Sequence, residues 1–192
     1  MEWTQEDTQA LRTWRNIIDS DNIKIKEKIK EELLSNINLI RVISNQTLEA
    51  EDAEPEDYYG VNIFPFYNIS ATQTTTQSFV CFDTSFEIQR YAKNQYEKQQ
   101  QIFFYILCHV KDNKDRDTGL SRHDLLAALI TDQFNWTNKF GKEIHLVSDR
   151  PYVVDNDYVL RTLIFQQLTY NNLVKSTNDL GVTRLANKDV VV

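Results

Sequence analysis

The sequence is poor in the residues that interrupt secondary structure or carry special chemistry. Its 192 residues include 4 glycines, 3 prolines and 2 cysteines. The glycines form no phosphate-binding loop, neither cysteine has a partner at CxxC spacing, and no serine lies in a GxSxG elbow. These absences remove the common nucleotide-binding, zinc-binding and serine-hydrolase motifs from consideration.

Long apolar runs are also absent. The longest falls well short of the roughly 20 residues that a membrane-spanning helix needs, so membrane insertion is not expected. The start of the chain lacks the charged, apolar and small-residue pattern of a secretory signal. With only Cys81 and Cys108, the composition indicates a protein made in a reducing cytoplasm.

The chain is acidic, with a formal net charge of -7. Such a charge repels a phosphate backbone at long range, which argues against a dedicated nucleic-acid binder. It is compatible with a protein that surrounds DNA without gripping it. The hydrophobic content of 41% at this length predicts one domain with appended segments, stable without metals or disulfides.

The most apolar stretch is Gln99 to Val110, which reads QQQIFFYILCHV. It combines aromatic and β-branched residues, contains no glycine or proline, and is about the length of a strand. We interpret it as a central strand covered on both faces. A short buried helix is the alternative.

The segment before this strand has helical periodicity. Thr4 to Ile18 predicts a helix capped by Thr4 or Asp7, in which Trp14 is a core or interface anchor. Ile25, Ile29 and Leu33 recur every four residues and predict an amphipathic helix. A shorter helix is expected from Ile37 to Ile43, followed by an exposed acidic loop. We assign residues 1–57 to this N-terminal segment.

Residues 58–170 are predicted to form an α+β core domain. Strands are expected at Phe79–Gln89, at the central run, at Glu143–Val154 and at Tyr158–Tyr170. Between the two hairpins, Ser121 and Asp124 open a helix with a capping-box spacing. The fold prediction is a four-stranded antiparallel sheet in hairpin–helix–hairpin order. Asn62–Tyr67 is expected to be an irregular or edge segment, because it holds a proline.

Both predicted hairpins carry apolar residues on both faces, but the single internal helix covers only one face of the sheet. The N-terminal helices or a neighbouring subunit must therefore cover the other face. A turn near Asn94–Gln95 would bring Cys81 close to Cys108. We expect two packed thiols there, not a disulfide.

Residues 171–192 are too polar and aperiodic to build core, and they predict an extended C-terminal tail that contacts other subunits. The candidate interface residues are the tail's apolar side chains together with one N-terminal tryptophan: Leu173, Val174, Leu180, Val182, Leu185, Val190 and Trp14.

Two groups of titratable residues suit a metal or general-base site by residue type alone. His109, His123 and Asp124 form the first group, and Asp149–Arg150 with Asp155 and Asp157 forms the second. Their spacings match no ligand motif, and Asp124 is already explained as a carboxylate at a helix N-terminus. We therefore assign no catalytic, cofactor-binding or metal residues and treat an enzyme as the minority hypothesis.

One family resemblance rests on a series of segments from Asn62 to Phe165, somewhat over half of the chain. The segments are NIFPF, SFVCFDTSFEI, QIFFYILCHVKD, TGLSRHDLLAALI and EIHLVSDRPYVVDNDYVLRTLIFQ. Together they resemble tailed-phage neck proteins of the head–tail connector or tail-terminator class. The resemblance implies a ring of identical protomers, sixfold or twelvefold, between head and tail. Its partners would be portal or adaptor rings, tail proteins and DNA passing through the lumen.

Three hypotheses of different kinds follow. The first is a structural virion protein of the phage neck, assembled in the host cytoplasm and without cofactors or membrane contact. The second is a small cytoplasmic adaptor or inhibitor, and the third is a metal-dependent hydrolase. The mass of the protein in solution and in purified virions would separate them best.

Overall fold

In a computed structural model, the described residues are 4–6, 9, 21–67, 76–87, 97–154, 157–170, 175–178 and 181–184. The helices are α1 (Asp21–Ser35), α2 (Ile37–Ile43), α3 (Gln46–Ala50) and α4 (Arg122–Phe134), with 3-10 turns at Pro55–Tyr58 and Val110–Asp112. The strands are β1 (Ile63–Phe64), β2 (Ser78–Glu87), β3 (Glu97–His109), β4 (His145–Val153), β5 (Tyr158–Tyr170), β6 (Lys175–Asn178) and β7 (Gly181–Arg184).

The main sheet has five strands in the order β1-β2-β3-β5-β4, and it is mixed. The prediction of a four-stranded antiparallel sheet is therefore wrong. The additional strand is β1, whose Ile63 and Phe64 pair in parallel with Val80 and Cys81. Its two residues were expected only as an irregular or edge segment, because Pro65 ends the pairing at once and leaves almost no strand pattern to detect.

The central position of β3 is confirmed, since it pairs with β2 on one side and β5 on the other. Along β3, Ile102, Phe104 and Ile106 are completely buried, whereas the residues between them up to Tyr105 are only partly buried. β5 has the predicted bounds, and Leu163 and Phe165 pair with Phe104 and Ile102 on the buried face. The alternation therefore separates one buried face from a second, partly exposed face.

The helices α1, α2 and α4 pack together on the buried face of the sheet. Ile29 and Leu33 of α1 share one apolar core with Phe104 of β3 and with Ile130 and Phe134 of α4. Phe104 contacts Phe134 with ring centroids 5.1 Å apart. One alternative predicted that the N-terminal helices cover the second face. The two that are described, α1 and α2, do not, because their apolar stripes lie on the same side as α4.

The second face carries a smaller core of Phe79, Cys81, Leu107 and Leu160. The chain after β1 folds over part of this face, and the ring of Tyr67 lies 4.6 Å from that of Tyr105. Among the described residues no helix packs there. The face is therefore aromatic and apolar, and the described residues cover it only partly.

Local signals predicted where α2 begins. Asn36 caps α2, its side chain accepting a hydrogen bond from the Leu39 N–H at 3.1 Å. The acidic loop is more ordered than expected, since it includes α3 and the turn at Pro55–Tyr58. The capping box at Ser121 is wrong: Ser121 is the N-cap residue but makes no side-chain capping bond. Asp124 instead pairs with Arg161 of β5.

Five further predictions concern the ends of the chain, one turn, β4 and the domain bounds. The helix at Thr4–Ile18 and the turn at Asn94–Gln95 lie largely or wholly outside the described residues. The regular alternation of β4 is broken by a bulge between Leu146 and Ser148. At the C-terminus, β6 and β7 form an antiparallel hairpin that is separate from the five-stranded sheet. The division of the chain at residues 57 and 170 stays a prediction.

Candidate functional site

Polar side chains converge where the N-terminus of α4 meets β4 and β5. Arg161 of β5 donates from Nε and Nη2 to the two carboxylate oxygens of Asp149, each at 2.7 Å. Its Nη1 donates to Asp124 in the first turn of α4. The hydrogen bonds that the guanidinium donates to Asp149 raise the pKa of Arg161 further, so the guanidinium stays charged. One arginine therefore holds two carboxylates and joins three elements.

His123 lies beside this ion pair. Its Nδ1 is 2.5 Å from the Ser121 hydroxyl oxygen and 3.1 Å from Asn113 Oδ1, and its Nε2 is 3.5 Å from Asp124. Burial lowers the pKa of His123, and the nearby Asp124 charge opposes that shift only partly. The backbone N–H of His123 also donates to Asn113 at 3.1 Å. This network fixes the loop before α4 to the start of the helix.

The two predicted titratable groups are divided and recombined by the fold. Asp124 and Asp149, one from each group, meet at Arg161, with His123 adjacent. His109 does not join them: its Nδ1 accepts from the Lys111 N–H at 3.2 Å, and its ring contacts Tyr158. Among the described residues no three His, Cys, Asp or Glu side chains are arranged to hold a metal ion. Asp155 lies outside the described residues.

Arg122 is a functional candidate that the sequence did not indicate. Its side chain is 1% exposed, although it stands in a polar SRHD segment that suggests a solvated helix start. Nη1 donates to the Ile43 carbonyl at 3.1 Å and to Asp112 at 2.9 Å, while Nε is buried without a partner. Arg122 lines a cavity of about 610 Å³ together with Tyr58. Burial raises the pKa of Asp112 in spite of the arginine.

A second cavity, of about 410 Å³, opens near the first residues of β4. Its walls include His145, Val147, Gln166 and Leu168. Val147 and Leu168 are largely exposed, and the amide of Gln99 donates to Gln166 at 2.7 Å across the neighbouring strands. The cavity thus combines apolar walls with amide groups at one end of the sheet's second face.

Trp136 is 70% exposed, and its ring packs edge-on against that of His145, which lines this cavity, with centroids 4.4 Å apart. It follows α4, and its N–H donates to the Ile144 carbonyl at 2.9 Å, which places it along the outer edge of β4. Sequence reasoning missed Trp136, because a tryptophan directly after a helix looks like an ordinary packing residue. Only the fold shows that this ring points away from the core.

Most of the predicted interface residues lie outside the described residues. These residues are Trp14, Leu173, Val174, Leu180, Leu185 and Val190. Val182 belongs to β7, where it pairs with Thr177. Their role in subunit contacts stays a prediction.

No helix within the described ranges is long and apolar enough to cross a membrane. A search of curated proteins found no match to the chain. The model of the YomW family matches residues 36–167, which is more than half of the chain and runs from α2 into β5. The chain therefore belongs to the YomW family and is a phage-associated protein.

Proposed function

We propose that this protein is a structural subunit of the virion, forming a ring in the neck of a tailed phage that joins head to tail around the DNA channel. The observation that carries the proposal is the partly covered second face of the sheet. Phe103, Tyr105 and Ile164 lie on it, and no described helix packs against them. An apolar surface of this kind is typical of a protein that buries it in an assembly.

Two further properties support a ring around DNA. The net charge of -7 favours a lumen that does not bind phosphates, so that DNA slides past. In the clearest charge cluster, Asp124 and Asp149 both form ion pairs with Arg161. These ion pairs stabilise the protomer. Membership of a phage-associated family is consistent with this role.

The test is the mass of the wild-type protein in solution and its position in virions. Light scattering over a concentration series should give a sixfold or twelvefold multiple of the 22.6 kDa protomer. Antibody labelling in electron micrographs should mark the junction of head and tail. A monomer or dimer that is also missing from purified virions would overturn the proposal and favour the adaptor or inhibitor hypothesis.

A further inference from the structure

Arg122 leaves one edge of its guanidinium without a hydrogen-bond partner, although its side chain is only 1% exposed. Both of its hydrogen bonds come from Nη1, which donates to the Ile43 carbonyl at 3.1 Å and to Asp112 at 2.9 Å. Nε is buried without a partner, and no hydrogen bond joins Nη2 to a residue that the structure describes. The edge formed by Nε and Nη2 therefore offers two N–H donors that no acceptor occupies.

Arg161 shows what the same edge binds elsewhere in this protein. Its Nε and Nη2 donate to the two carboxylate oxygens of Asp149, each at 2.7 Å. The planar guanidinium matches a carboxylate in this two-bond geometry, and such charge-assisted hydrogen bonds are stronger than neutral ones. Buried donors without acceptors are unfavourable, so a carboxylate on the free edge of Arg122 would also remove a cost.

The space beside Arg122 is large enough for a small molecule. We call it the Arg122 cavity; it measures about 610 Å³ and is lined by Arg122, Tyr58, Ile37, Ile40 and Ala53 among others. Sites for small molecules have volumes of roughly 300 to 1,000 Å³ and combine apolar walls with a few polar groups. The Arg122 cavity has both properties.

The charges around the Arg122 cavity restrict the kind of ligand. Besides Arg122, two arginines and four carboxylates line it: Arg41, Arg116, Glu49, Asp52, Asp115 and Asp117. Three arginines against four carboxylates give the lining a net charge of -1. A multiply charged anion such as phosphate would meet this negative majority. A ligand with one carboxylate and one cationic group would be complementary to it.

Glu49 is the best-placed acceptor for a cationic group. It is exposed, and no ion pair connects it to a described residue. Burial raises the pKa of Asp112 and of Tyr58, and the charge of Glu49 adds to both shifts. Glu49 therefore lies close to the ion pair of Asp112 with Arg122, and its negative charge acts inside the cavity.

We propose that the Arg122 cavity binds an amino acid as a zwitterion. The carboxylate lies on the Nε–Nη2 edge of Arg122, the ammonium group faces Glu49, and an aliphatic side chain packs against Ile37 and Ile40. Ile37 is 58% exposed, so the ligand would cover apolar surface that is otherwise in water. The residues belong to one chain, and the site goes beyond the proposed ring without depending on it.

Calorimetric titration of the wild-type 192-residue chain tests the site with leucine, leucine methyl ester, N-acetylleucine and inorganic phosphate. Leucine should bind saturably, with a dissociation constant below about 1 mM. The ester lacks the carboxylate and the N-acetyl compound lacks the ammonium group, so each should bind at least about tenfold more weakly.

Three outcomes of this titration would overturn the proposal. They are equal binding of leucine and either derivative, tighter binding of phosphate than of leucine, and no saturable binding of leucine up to about 10 mM. Wild-type monomers that bind leucine would refute the ring and leave the site intact, whereas rings that do not bind it would refute the site alone.

Glu49→Gln tests the ammonium contact without altering the buried arginine. It should weaken leucine binding by about tenfold and leave the binding of N-acetylleucine unchanged, because that compound has no ammonium group. Glu56→Gln is the matched control, since Glu56 is exposed and does not line the cavity. Unaltered leucine affinity in Glu49→Gln, or the same loss in both variants, would contradict the assignment.

Arg122→Lys tests the carboxylate contact, because it keeps the positive charge and removes the planar fork. Leucine affinity should fall at least about tenfold in protein that urea unfolding shows to be folded. Unchanged affinity in the folded variant would rule out the contact with the Nε–Nη2 edge. If the variant does not fold, the comparison of leucine with its methyl ester on the wild-type protein decides the same point.

Discussion

Cys81 and Cys108 lie on opposite faces of the same sheet. Cys81 pairs with Tyr105, three positions from Cys108 along β3, and Cys108 pairs with Ser78. An odd offset in an antiparallel pair puts two side chains on different faces. The expected contact between the two thiols is therefore wrong, although neither cysteine forms a disulfide and both are buried.

Both thiols should be inert in the folded protein. Burial raises the pKa of Cys108 to about 12, which leaves almost no reactive thiolate at neutral pH. A thiol reagent should label neither cysteine in the native state and both in denaturant, and Cys81→Ala assigns the two signals. Rapid labelling of either residue in folded protein would contradict the burial described.

Phe104→Ala should be among the most destabilising substitutions. Its ring is completely buried and contacts Phe134 and Phe165, so truncation should lower the free energy of unfolding by about 3 to 5 kcal/mol. Phe103→Ala is the matched control, since its neighbouring ring is only partly buried on the second face. Urea unfolding that shows equal losses for the two variants would mean that the faces are assigned wrongly.

Arg161→Ala should destabilise the protomer through Asp124 and Asp149, which would lose their shared partner. For a partly exposed ion-pair network we expect a loss of about 1 kcal/mol that shrinks as salt is added. Arg150→Ala is the control, because Arg150 is exposed and has no ion pair within the described residues. A loss independent of salt, or equal in the two variants, would speak against this network.

His123 should make stability depend on pH. Its pKa is lowered in the folded state, so the unfolded chain binds the proton more readily. Stability is then fully present above the ordinary pKa of 6.5 and decreases as the pH falls below it. His123→Gln should flatten that decrease in urea midpoints between about pH 7.5 and pH 5.5. An unchanged slope would assign the effect to other groups.

Deleting residues 171–192 should leave the five-stranded sheet folded. The β6–β7 hairpin pairs with none of its strands, so the unfolding midpoint should stay close to the wild-type value. Following the predicted role of Leu173, Leu180 and the other apolar residues of this segment, the truncated protein should assemble less well. Rings of normal mass and stability would show that the segment is dispensable.

The resemblance to phage neck proteins and the family membership agree at the level of phage association. The resemblance is based on the pattern of strands and helices from Asn62 to Phe165, whereas the family model matches residues 36–167.

Local pattern was sufficient to predict the elements that have strong periodicity. β5, α2 and the start of α4 agree with the predicted bounds within a residue, and Ile25, Ile29 and Leu33 form the buried stripe of α1. Each of these depends on residues close together in sequence, where side-chain period and capping groups decide the outcome. The same information identified the central strand, but the prediction that it is covered on both faces is wrong, because the residues that alternate with Ile102, Phe104 and Ile106 up to Tyr105 are only partly buried.

Long-range packing decided the rest. Four features join residues that are far apart in the chain. They are the parallel pairing of β1, the packing of α1, α2 and α4 on one face, the register that separates Cys81 from Cys108, and the meeting of Asp124, Asp149 and Arg161. A sequence pattern fixes which side of a strand or helix is apolar, but not which partner covers it. The helices fill one face of the sheet, and Trp136 lies exposed at the edge of that sheet. Only the tertiary structure shows this position.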